Sequence, residues 1–96
     1  MQVGMMRVEL MIHGAHSLKE KRRPLKSLIE KTRNKYNVSV AEVDNHDLHQ
    51  RATLGIAIVA VDGGNLLDQM RTVKEFIYTN PECQVLDIME ERIGAF

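Results

Sequence analysis

The hydrophobic period of this chain switches from two residues to three-and-four within a few positions, and that alternation limits the fold more than any other feature. Over residues 3–13, Met6, Val8, Leu10 and Ile12 alternate with Met5, Arg7, Glu9, Met11 and His13. Period two over this length predicts a strand with one buried face. Gly14 and Ala15 let the chain turn. Ser17 followed three residues later by Glu20 is a capping-box pattern, and Leu25, Leu28, Ile29, Thr32 and Tyr36 recur at helical spacing, so residues 17–36 predict an amphipathic helix. Pro24 leaves two starts open. Either Ser17 caps a first turn that kinks before Pro24, or the regular helix begins at about residue 23, where the missing N–H costs nothing and residues 19–22 become a basic loop.

Period two returns over residues 38–44 and again over 52–61, where Leu54, Ile56, Ile58 and Ala60 form the heavier face. The polar connection 45–51 has the length of an extended hairpin loop, so these two strands are expected to pair antiparallel. Asp62, Gly63, Gly64 and Asn65 break the strand and offer an N-cap to a second helix traced by Leu66, Met70, Val73 and Ile77. Asn80 and Pro81 stop that helix. A last strand is expected over residues 84–90, with Leu86 and Ile88 on one face and Val85 and Met89 on the other, and residues 92–96 read as a tail. The order β, α, β, β, α, β predicts an α+β, ferredoxin-like βαββαβ domain, a four-stranded antiparallel sheet with two helices on one face. Ninety-six residues are enough for one core, so 1–96 is read as a single domain. In this topology His13, His16, the start of the basic helix, loop 45–51 and the start of the last strand share one end.

Charge is distributed unevenly. The sequence carries 13 Lys and Arg against 13 Asp and Glu, yet residues 17–36 hold eight of those cations and only Glu20 and Glu30, a local +6 balanced by −6 elsewhere. An anionic ligand approaches a local field and not an average. Lys19, Lys21, Arg22, Arg23, Lys26 and Arg33 are therefore candidate phosphate contacts, with Arg51 extending the patch; the bland alternative is a solvated helix face. A base-stacking sheet is not expected, because the outward positions of the two central strands (Thr53, Gly55, Ala57, Val59; Met5, Arg7, Glu9, Met11) include no aromatic residue. Small and apolar outward residues suit packing against a second copy instead, so a homodimer through the open sheet face is expected.

Other constellations are weaker. His13, Asp44, His46 and His49 form an alternative metal or small-molecule set, but no HExxH or paired cysteines accompany them, and turn chemistry explains the same residues. Neither a catalytic residue nor a cofactor is assigned, since no side chain identifies itself as a nucleophile beside a base. Cys83 is a lone cysteine, which excludes an internal disulfide framework and fits a reducing compartment. The N-terminal 13 residues are interrupted by Arg7 and Glu9, so neither a membrane span nor a signal peptide is expected, and the cytoplasm is the default location.

The phrases SLKEKR at 17–22, LKSL at 25–28, NVSVAEVD at 37–44 and DLHQRA at 47–52 together resemble the YlxP-like bacterial family, a small domain of unknown function. The resemblance covers nearly the whole chain. It implies a ferredoxin-like fold in a cytoplasmic bacterial protein and, through the family's usual gene neighbourhood, an association with translation initiation or ribosome maturation factors; it implies no reaction. His49 departs from a frequent tryptophan, His46 from a frequent glutamine and Pro24 from a usual aliphatic residue. The function expected is a non-enzymatic RNA- or ribosome-associated binding module. The alternatives are metal or small-molecule binding at the histidine end and a dimeric protein–protein adaptor.

Overall fold

The structure, a computed structural model, describes residues 1–94 and 96. Its elements follow in the order β1 (Gln2–Met11), α1 (Leu18–Lys35), β2 (Ser39–Asp44), β3 (Arg51–Ala60), α2 (Gly63–Tyr78) and β4 (Gln84–Gly94). All neighbouring strands are antiparallel and the sheet order is β2-β3-β1-β4, the ferredoxin-like arrangement expected from the periods. Met6, Val8 and Leu10 of β1, with Leu54, Ile56 and Ile58 of β3, are buried beneath Leu25 and Leu28 of α1 and Leu66, Met70, Val73 and Ile77 of α2. Gly4 lets α2 approach β1 closely: a Cβ there would lie 2.8 Å from the Met70 sulfur and 2.9 Å from Leu66 Cδ1. No helix among the described residues is long and apolar enough to cross a membrane.

Helix α1 begins at its cap. Ser17 Oγ accepts the Glu20 N–H at 3.1 Å, and the Glu20 carboxylate reaches back to the His16 N–H, so two N-terminal backbone donors are satisfied by the box. The later start near residue 23 is thereby overturned: residues 19–22 are helical, and Pro24 sits buried inside the helix. Burial of its ring against the core offsets the one intrahelical bond it cannot make. Of the four residues expected to break the strand and offer a cap, Asp62 is the N-cap, its carboxylate accepting the Asn65 N–H at 2.8 Å, and Gly63 and Gly64 already form the first turn of α2.

Two bulges re-aim side chains that strict alternation would place otherwise. In β2 the register shifts between Glu42 and Asp44, so Glu42 faces the helices while Asp44 faces the open side. Val43, the extra residue, lies over Gly55, where a Cβ would meet Val43 Cγ1 at 2.8 Å. In β4 the register shifts opposite Glu9 and Leu10. Val85 and Ile88 therefore both pack on the core while Leu86 and Met89 are exposed, which corrects the expected faces. The expected tail is also corrected, because β4 continues to Gly94 and pairs with β1 as far as Gln2↔Gly94.

Candidate nucleic-acid interface

At about 100° per residue, Lys19, Arg22, Lys26 and Arg33 fall within about 60° of arc on α1. All four are exposed, and three of them (Arg22, Lys26 and Arg33) line a groove of about 560 Å³ between α1 and the outer edge of β2. Leu18, Leu25 and Ile29 supply its apolar wall, and Glu42 and His46 its far side. Among the described residues, Lys19 and Arg22 have no carboxylate partner, and Lys26 is only loosely paired with Glu30 at 3.8 Å. Arg33 donates to the Val40 carbonyl at 2.6 Å, and His46 Nε2 lies 3.1 Å from the Glu42 carbonyl. A carbonyl only accepts, so His46 Nε2 is the donor in this contact. These two side chains cap alternate carbonyls of the outer strand, which blunts an edge that would otherwise invite strand pairing.

Three of the seven expected phosphate contacts are not on this exposed stripe. Lys21 is only 3% exposed, on the buried side of α1, with its ammonium 2.8 Å from Glu42 Oε2 and donating to the Asn45 carbonyl at 2.9 Å. It neutralises a carboxylate within the wall of the same groove. Arg23 points away from the groove and pairs with Glu82, ahead of β4; hydrogen bonding to Glu82 raises its pKa, and the same contact lowers that of Glu82. Arg51 lies on the open side of the sheet, opposite Met11 and 4.0 Å from Glu9.

That open side carries its own polar network. Arg7 bridges Glu9 and Asp44, each at 2.9 Å, Thr53 donates to Glu9 at 2.7 Å, and Asn45 donates to Thr53 at 2.9 Å. The Thr53 hydroxyl is the largest influence holding the Glu9 carboxyl below its usual range, and Arg7 does the same for Asp44. Both folded-state values lie below their unfolded ones. The stability these groups supply is therefore complete above the ordinary carboxylate range and fades as pH falls through it. Asn45 adopts a positive φ of 60°, the left-handed conformation that asparagine tolerates best among residues with a side chain.

The alternative metal set is not assembled. Asp44 faces Arg7 on the open side, His46 faces the groove, and His13 contacts Gln84 at the start of β4. Among the described residues no three His, Cys, Asp or Glu side chains converge. Two of the four aromatic residues lie between the helices, where Tyr36 and Phe76 meet edge-on with centroids 5.5 Å apart and Lys35 covers Phe76.

Cys83 is buried beneath Pro24, and burial pushes its thiol up to about 11. The thiolate is the reactive form, so modification by a disulfide reagent near pH 8 is expected to be at least about 100-fold slower in the native protein than in urea. Equal rates would place the sulfur at the surface.

A family model described as a protein of unknown function (DUF503) matches residues 3–90. The "Uncharacterized protein YlxP" of Bacillus subtilis (strain 168) is 37% identical over 82 residues, which span 85% of this chain and 89% of that protein. Among solved structures, the de novo designed protein Foldit4 aligns over all of both chains with a TM-score of 0.56 at 11% identity, a likeness of fold alone.

Proposed function

This chain belongs to the DUF503 family of proteins of unknown function, and from its own side chains we propose that it is a non-enzymatic, RNA- or ribosome-associated binding module that holds a phosphate backbone along α1. One observation carries the reading: Lys19, Arg22, Lys26 and Arg33 form a single exposed stripe beside a groove, and the first two have no carboxylate partner among the described residues. On a helix that rises 1.5 Å per residue, Arg22 and Lys26 are about 6 Å apart and Arg22 and Arg33 about 16 Å. That spacing suits successive phosphates of one strand. The groove's apolar wall offers no aromatic platform, so contact is electrostatic and tolerant of base identity.

Crosslinking in living cells tests the proposal directly. Nucleotide adducts are expected on peptides containing Lys19, Arg22 and Lys26, and are expected to outnumber those on α2 or β4. Adducts confined to those other elements, or absent while a control RNA-binding protein in the same cells crosslinks, would overturn it.

A further inference from the structure

The open face of the sheet, opposite both helices, is half apolar. Met5 is 40% exposed, Val59 and Met89 60% each and Ile93 52%, and the register joins them across three strands, with Val3 between Val59 and Ile93 and Met5 beside Ala57. The other half is the polar network in which Arg7 bridges Glu9 and Asp44 while Arg51 lies near Glu9. We propose that this face is covered by the same face of a second copy of the chain, giving a two-fold dimer with its helices outermost.

Charge and area together select that occupant. Arg7 and Arg51 already have carboxylates beside them, and Asp87 and Glu91, which lie on this face of β4 opposite Glu9 and Met5, have no cation partner among the described residues. A polyanion therefore finds no free Lys or Arg here among the described residues. Covering the network strands no cation, because each open-face cation keeps its counter-ion on burial, and the unpaired Asp87 and Glu91 belong to the edge strand β4, at the rim where water reaches them. Three strands about 33 Å long and the shorter β2, about 20 Å, spaced about 4.8 Å apart, give a flat outline of roughly 570 Å². A standard interface buries about 800 Å² of accessible surface per partner, which an outline of this size supplies only when it is covered end to end. A docked helix about 10 Å wide would leave half of it wet, whereas an identical sheet has the same outline and stacks at about 10 Å. Two-fold symmetry then makes the patch its own complement. The α1 stripe lies on the opposite side, so the inference stands independently of phosphate binding, and each dimer would present two stripes facing away from each other.

Sedimentation equilibrium from about 1 to about 100 μM, the range in which standard interfaces assemble, decides the matter. The wild-type chain is expected to show twice its 11.0 kDa mass. Val59→Lys and Met89→Lys, each at an exposed position, are expected to retain the native circular dichroism spectrum and weigh as monomers, while Arg22→Glu leaves the dimer intact. A monomeric wild-type chain throughout that range overturns the proposal. So does a mass that stays doubled in either folded lysine variant.

Discussion

Replacing Lys21 with alanine is expected to destabilise the fold by about 3 kcal/mol, which for a chain of this size lowers the melting temperature by roughly 10–20 °C. Lys21 is almost fully buried, and its ammonium is the counter-ion of Glu42, whose side chain is 22% exposed. The same ammonium satisfies the Asn45 carbonyl in the turn that leaves β2. Truncation leaves a carboxylate with little water and no partner, and an orphaned carbonyl. Partial exposure of Glu42 keeps the cost at the lower end for a broken buried pair. Lys21→Met retains the aliphatic stem but not the charge, so it is expected to lose nearly as much. Adding Glu42→Gln to Lys21→Met should then restore stability, because the unpaired charge is gone. Thermal unfolding of the three variants checks this. A melting temperature within about 2 °C of wild type for Lys21→Ala, under ~0.5 kcal/mol, would mean that the pair is solvated.

Element order was readable from periodicity because each face is long and one-sided: Met6, Val8 and Leu10 at spacing two, and Leu66, Met70, Val73 and Ile77 at three and four. The strand faces failed at the bulges. Glu42 and Asp44 stand two apart and by alternation share a face, yet the extra residue Val43 sends one beneath α1 and the other to Arg7. No local composition marks that bulge, although Gly55 across from it is the vacancy Val43 needs. Lys21 was misread for a different reason. Its position, four before Leu25 and seven before Leu28, is that of a buried residue, and spacing alone would have placed it there; only its residue type argued for solvent. Arg23 and Arg51 were beyond reach, because their partners Glu82 and Glu9 are distant in sequence and meet them only through the sheet and its last crossover. Of the seven cations singled out by charge density, the helix turns four to one side.

Reversing two charges in that stripe, with Arg22→Glu and Lys26→Glu together, is expected to weaken binding to a single-stranded RNA by about 100-fold at low salt. Each change removes one phosphate contact and puts a repelling carboxylate in its place. Arg22 has no internal partner among the described residues and Lys26 only a distant one, so the double variant is expected to fold and melt as wild type does. Arg23→Glu provides the internal control. It changes the net charge by the same amount per substitution, but Arg23 is turned toward Glu82 and away from the groove, so a loss of less than about threefold is expected once the general change in net charge is allowed for. Equal losses from Arg23 and Arg22 would mean that overall charge, and not the stripe, attracts the ligand. Fluorescence anisotropy with a labelled oligonucleotide separates the two outcomes.

The most direct measurement is the salt dependence of that binding in the unmodified protein. Four phosphate contacts to a single strand predict that log K falls with log salt concentration at a slope of about −3, dropping to about −1.5 when Arg22 and Lys26 are replaced by glutamine. Binding that cannot be detected at low salt, or a slope left unchanged by the two replacements, would contradict phosphate recognition by α1.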